Sequence, residues 1–259
     1  MSAFPRWPLI LALVALTTLA LAGEIPREQR RSGYEQMSPA TRAMQDDETA
    51  NPGLLWLLDG EALWKAKPNA TARACADCHG DARTSMKGVA ARHPAFDATL
   101  GATVNLEGRI NICRIEQQQT TALAYDSKEL LGLSAWVTAQ SKGLPIVIDA
   151  GKLATEIAAG KRLFELRQGQ LNLSCAQCHD DNWGRKLAGN TIPQGHPTGY
   201  PQYRLEWQTV GSLHRRLRNC LTGMRAENFA AGSPELIALE SYLMWRAEGM
   251  VIESPAVRP

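Results

Sequence analysis

Two five-residue motifs, Cys75-Ala76-Asp77-Cys78-His79 and Cys175-Ala176-Gln177-Cys178-His179, carry the residue types and spacing of covalent haem attachment. In such a motif both thiols can form thioethers with haem vinyl groups, and the histidine that follows is placed to ligate the iron. One Cys-x-x-Cys-His arises easily by chance; two in the same surrounding pattern do not. The sequence therefore predicts two covalently bound haem c groups, attached through Cys75, Cys78, Cys175 and Cys178, with His79 and His179 as iron ligands. The chain has six cysteines, so Cys113 and Cys220 are left over, one after each motif.

The elements that position these residues occur twice. Gly60, Leu63, Trp64 and Cys75 match Gly160, Leu163, Phe164 and Cys175 at an offset of 100. Further on, Glu129-Leu130-Leu131, Leu133, Trp136 and Gly143 match Glu235-Leu236-Ile237, Leu239, Tyr242 and Gly249 at an offset of 106. Each copy reads as a helix with Gly-x-x-Leu-aromatic, then the haem motif, then a loop-rich stretch with a lone cysteine. A closing helix follows, its apolar residues at helical spacing. Two terminal helices crossing beside a haem resemble a class I cytochrome c domain, in which glycine and an aromatic mark the crossing. The expected fold is mainly α, two tandem class I cytochrome c-like domains related by internal duplication. The expected boundaries are a first domain at 51–147 and a second at 148–259, joined by an extended linker near 143–151.

In that domain type the distal iron ligand comes from the segment before the last helix. Cys113 lies 16 residues before Glu129 and Cys220 lies 15 before Glu235, so both fit by position. Met86, His93, His196, His214, Met224 and Met244 are rival donors, and His93-Pro94 with His196-Pro197 reads as a further matched pair. A disulfide between Cys113 and Cys220 is the other use of the two thiols in an oxidising compartment, but it would have to bridge two domains from equivalent positions. Histidine–cysteine ligation is favoured at both haems, and a thiolate ligand lowers the reduction potential by stabilising ferric iron.

Around Cys220 runs His214-Arg215-Arg216-Leu217-Arg218-Asn219-Cys220-Leu221-Thr222-Gly223-Met224-Arg225. On a helix Arg216 and Cys220 share a face, and a guanidinium there can stabilise a thiolate or hold a small oxyanion through its planar fork. Arg109 stands four before Cys113 as well, so part of this spacing is inherited. The extra Arg215, Arg218 and Arg225 make the second site the more positive one, which nominates Cys220 as the reacting cysteine and leaves Cys113 to ligation.

The rest of the chain bounds the setting. Of 259 residues, 44% are hydrophobic and 21% charged, enough for a buried core and a charged surface. Arg6, an apolar run to Ala22 and the ending Ala20-Leu21-Ala22 read as a cleaved export signal over 1–22, too short to span a bilayer comfortably. A periplasmic location follows, and haem attachment outside the cytoplasm agrees with it. Cleavage would take the formal net charge from +2 to +1, which excludes an electrostatic case for nucleic acid. Residues 23–50 fall outside both repeats and read as an extension that either wraps a domain or partner or is disordered.

Taken together, the paired haem motifs, Cys113 and the Arg-Asn-Cys-x-x-Gly-Met-Arg run at Cys220 resemble the SoxA family, dihaem subunits of periplasmic thiosulfate-oxidising cytochrome complexes. The resemblance covers roughly residues 30–250. It implies an L-cysteine S-thiosulfotransferase that couples thiosulfate oxidatively to a cysteine of a sulfur-carrier protein. It further implies Cys220 as the catalytic cysteine, carried as a persulfide, Arg216 as substrate-binding, and His79/Cys113 and His179/Cys220 as axial pairs. The implied partners are a monohaem SoxX-like subunit in a heterodimer, a SoxYZ-like carrier and thiosulfate. An electron-transfer-only dihaem cytochrome and a tetrathionate-forming thiosulfate dehydrogenase are the alternative readings.

Overall fold

The computed structural model describes residues 25–259; the expected signal segment lies outside them. In the first half come α1 (Pro39–Asp46), α2 (Leu54–Lys65), α3 (Cys75–His79), α4 (Ala82–Ser85), β1 (Ala95–Asp97), β2 (Ala102–Val104), α5 (Leu106–Glu116) and α6 (Lys128–Ala139). In the second come α7 (Ala154–Glu165), α8 (Cys175–His179), β3 (Lys186–Leu187), β4 (Asn190–Thr191), β5 (Gln202–Arg204), β6 (Thr209–Gly211), α9 (Leu213–Gly223), α10 (Pro234–Arg246) and β7 (Ala256–Arg258). The architecture is mainly α, as expected.

Each half is built on one helix crossing. Ser127 and Ser233 cap α6 and α10 by accepting from the backbone N–H three residues on. α2 crosses α6 at Gly60, where a Cβ would stand 2.1 Å from the Gly132 carbonyl oxygen. α7 crosses α10 at Gly160, where a Cβ would stand 2.0 Å from the Ala238 carbonyl oxygen. Only glycine permits that approach. Below the first crossing pack Leu57, Trp64, Leu106 and Trp136; below the second, Phe164, Leu236, Leu239, Tyr242 and Leu243.

The duplication runs further than spacing alone suggests. β1, β2 and α5 match β5, β6 and α9 at an offset of 107, with the same antiparallel register in each hairpin. His93-Pro94, just before β1, therefore matches Tyr200-Pro201 just before β5. The pairing of His93-Pro94 with His196-Pro197 is a coincidence of sequence. The extra length responsible for the misreading is the β3–β4 hairpin between the second haem motif and His196.

Two connecting segments are ordered by docking. The linker is a docked strap with only Ile146 and Ile148 buried: Ile146 N donates to Met250 O at 2.8 Å and Ile252 N to Leu144 O at 3.0 Å. Ile146 and Ile148 join Ala91, Met244 and Ile252 in a core cluster between the halves. The extension lies on the second half. Arg31 N donates to Gln194 Oε1 at 2.6 Å, Arg30 Nη1 to Glu248 O at 3.1 Å, and Gln45 Oε1 accepts from Val257 N at 3.0 Å. β7 completes a three-stranded sheet in the order β6-β5-β7, parallel to β5.

Candidate haem sites and the Cys220 pocket

α3 and α8 are single turns, and a single turn is what the motif needs: residues i, i+3 and i+4 fall on one face. Gln177 Oε1 accepts from Ser174 N at 2.9 Å and Ser174 Oγ from Gln177 N at 3.2 Å, a reciprocal cap that fixes the start of α8. Asp77 Oδ2 does half of this for α3, accepting from Ala74 N at 2.9 Å. Behind each histidine stands the aromatic of the preceding helix, Trp64 at 5.7 Å from His79 and Phe164 at 6.4 Å from His179.

His179 is oriented further. Its Nδ1 lies 2.6 Å from the Pro193 carbonyl oxygen, so Nδ1 carries the proton and Nε2 keeps its lone pair. That is the arrangement by which an outer partner sets a metal-ligating imidazole. Burial holds the ring neutral, against the pull of Pro193. Next to it, Asp180 meets Arg246 at 2.6 Å, and the Arg246 guanidinium lies 4.6 Å over Phe164. Arg246 is 3% exposed. Asp180→Asn would strand this buried cation and should cost about 3 kcal/mol in chemical denaturation; a cost near zero would show the guanidinium finds another partner.

Each lone cysteine faces its own motif. Burial raises the Cys175 thiol to about 12, with Cys220 and then Cys178 adding to it, and Cys220 also raises Cys178 after burial. In the first half burial raises Cys75, a hydrogen bond from Gln118 opposes, and Cys113 adds. All six cysteines are free, so Cys113 and Cys220 are not joined. The rival donors have contacts of their own. His93 Nδ1 lies 2.9 Å from Val89 O, and His196 Nδ1 lies 3.1 Å from Arg31 O, which leaves each Nε2 free as at His179. His214 Nδ1 accepts from Gly232 N at 3.0 Å. Met86 packs against the first core, Met244 belongs to the cluster between the halves, and Met224 is buried. The donor set thus suits haem c in both halves: two thiols and an imidazole on one face, with a third thiol close to them.

The comparisons with known proteins agree with this geometry. The profile described as SoxA/TsdA, cytochrome c domain, matches residues 59–146 and again 159–252. The chain belongs to the SoxA/TsdA cytochrome c family. A curated relative from Pseudaminobacter salicylatoxidans, named L-cysteine S-thiosulfotransferase subunit SoxA, is 37% identical over 96% of this chain and 88% of its own length. The relative of that name from Paracoccus pantotrophus is 31% identical over 88% of this chain and 78% of its own. The crystal structure of SoxXA from P. pantotrophus superposes with a TM-score of 0.86 at 30% identity, covering 89% of this chain and 87% of that one.

Within this SoxA-type chain the two cysteine sites differ in charge. Arg109 Nη2 approaches Cys113 Sγ at 3.5 Å, and its Nη1 is taken by Asp97. The second copy carries Arg204 at the position of Asp97. Arg204 is 8% exposed, its Nε 2.8 Å from Glu206 Oε1, and the same oxygen lies 3.4 Å from Arg216 Nη1. Burial opposes the charge on Arg216, while Cys220, Tyr200 and Glu206 together secure it. Of the other arginines in the run, Arg215 stacks on Trp207 at 4.4 Å, and Arg218 and Arg225 are exposed. Sequence reasoning found Arg216 but missed Arg204, Glu206, Tyr200 and Pro193. An alignment at offset 107 would have exposed the Asp97-to-Arg204 exchange.

Proposed function

We propose that this SoxA-type chain is a periplasmic L-cysteine S-thiosulfotransferase subunit, with two haem c groups, in which Cys220 is the reacting sulfur and Arg216 holds thiosulfate. His79 with Cys113 and His179 with Cys220 would hold the two irons, and 51–147 and 148–259 would be the two haem domains. The observation that carries the reading is the charge exchange between the copies. Arg109 is neutralised by Asp97, whereas Arg216 is accompanied by Arg204 with one shared carboxylate, Glu206. A net positive pocket beside one cysteine only is what a dianionic substrate requires.

The protein's own groups divide the work. Arg216, backed by Glu206, orients the sulfonate end through two N–H donors, as a lysine could not. The outer sulfur of thiosulfate then meets the Cys220 sulfur. Joining the two sulfurs releases two electrons and leaves a thiosulfonate on Cys220. The carrier's cysteine thiolate attacks that group, taking the S–SO3 unit and returning Cys220 as thiolate, so the covalent intermediate splits one step into two. Bound haem c supplies the one-electron acceptor for this oxidation. A SoxX-like monohaem subunit, bound as a heterodimer, receives the electrons, and the carrier is SoxYZ-like.

Electron paramagnetic resonance of the oxidised holoprotein tests the ligand pairs. Low-spin histidine–thiolate signals are expected, and histidine–methionine signals at both irons would overturn the assignment. Arg216→Ala should raise KM for thiosulfate by about 50-fold with a smaller change in kcat, the value of a charged hydrogen-bonded contact. An unchanged KM in steady-state assays would return Arg216 to a structural role.

A further inference from the structure

The two halves meet through equivalent parts. The 107 offset pairs His93 with Tyr200, Leu106 with Leu213, and Glu107 with His214. His93, Tyr200, Leu106 and Leu213 line a single cavity of about 40 Å³ together with Glu107 and Glu240. Thr138 also borders it, 2% exposed, and its buried hydroxyl has no protein hydrogen-bond partner. The lining is mostly apolar, but Glu107, Glu240 and Thr138 supply the polar partners that ordered water needs.

The groups around the cavity fix where protons sit. Glu240 Oε2 accepts from Asn105 Nδ2 at 3.1 Å and lies 2.9 Å from His214 Nε2. Gly232 N–H donates to His214 Nδ1, which therefore needs a lone pair. Burial opposes charge on His214, but Glu240, Glu107 and Asp126 outweigh it and raise the ring above its ordinary value; the Gly232 hydrogen bond keeps Nδ1 unprotonated in this geometry, which puts the ring's proton on Nε2, facing Glu240. Asn105 Nδ2 and His214 Nε2 thus stand beside one and the same oxygen of Glu240. Tyr125 completes this wall, its ring 5.8 Å from His214 and its hydroxyl 3.1 Å from Asn105 Oδ1.

Glu107, 8% exposed, lines the same cavity as Glu240. Burial, and then Glu240, push its carboxyl up to about 7, with His214 opposing and Asp126 adding. On the remaining side His93 is held neutral chiefly by burial, and Arg109 is occupied by Asp97 and Cys113. Two carboxyls buried together cannot both ionise cheaply.

We propose that Glu107 and Glu240 form a proton-binding site at the junction of the two cytochrome domains, holding one proton between them and reaching solvent through water in the adjoining cavity. Releasing that proton to water leaves two facing carboxylates and weakens the junction. The direction follows from linkage: an acid raised on folding gives stability that is whole below its unfolded value of 4.5 and is lost as pH rises through about 7. The site is independent of thiosulfate chemistry.

The test compares the haem-loaded full chain with E107Q, which keeps the side-chain shape and cannot release a proton. Thermal unfolding is followed from about pH 5 to about pH 8.5. The wild-type melting temperature should fall across that range more steeply than that of E107Q, and at about pH 6 wild-type unfolding should release about one proton more. Parallel curves with equal proton release would overturn the proposal. Should E107Q fail to assemble, infrared spectra of wild type labelled in its glutamate carboxyl carbons decide. A protonated glutamate band persisting to about neutral pH supports the site, and its absence at about pH 6 overturns it.

Discussion

Cys220→Ser should lower thiosulfate-dependent turnover by at least about 10³-fold while leaving haem attached, because the proposed attachment sites are Cys75, Cys78, Cys175 and Cys178. A hydroxyl can neither form the disulfide-type bond to thiosulfate nor return as a good leaving group. Cys113→Ser is the matched control. It alters the first haem's spectrum but should leave most turnover, since Arg109 is neutralised by Asp97 and no second arginine accompanies it. The measurement is carrier thiosulfonation followed by mass, together with the absorbance of bound haem. Wild-type rates from the Cys220 variant would reduce the protein to electron transfer alone.

Gly160→Val should prevent the second half from assembling. Even alanine places a methyl 2.0 Å from the Ala238 carbonyl oxygen and 2.7 Å from the Tyr242 Cβ. Both are parts of helix α10 that cannot yield without moving the helix. Separating α7 from α10 exposes Phe164, Leu236, Leu239 and Tyr242 and costs about 4 kcal/mol or more. Loss of covalent haem at Cys175 and Cys178, read by peptide mass, should accompany loss of the folded domain. A stable, fully loaded valine variant would show that the close crossing is dispensable. Gly60→Val should act the same way on the first half, through the Gly132 carbonyl.

The parts legible in the sequence were those with a period or a fixed spacing. Gly60 and Gly160 announced their helix crossings because glycine, then an aromatic four residues on, recurred at a constant offset. The haem motifs stood out by spacing, though not as the single helical turns α3 and α8 that hold them. What was hidden depended on contacts across the chain. His196 looked like the partner of His93, yet the β3–β4 hairpin shifts the alignment, and His196 instead meets the Arg31 carbonyl. Arg204 carried no local signal, because its meaning lies in standing where the first copy has Asp97. The linker looked extended, which it is, but its docking needed residues 249–252 on the far side of the chain. His214 read as a possible iron ligand from its place near Cys220, whereas the Gly232 N–H and Glu240 claim both its nitrogens.

The docking of the N-terminal extension ties residues 30–51 to residues 248–258. Arg30 reaches the Glu248 carbonyl, Asn51 the Pro255 carbonyl, and Gln45 both Val257 and Arg258. A chain is synthesised from its beginning, so residues 30–51 must wait for residues 248–258 before they can settle. A molecule lacking residues 248–258 would leave its early segment unanchored as well, and Gln194 would lose a neighbour in Arg31.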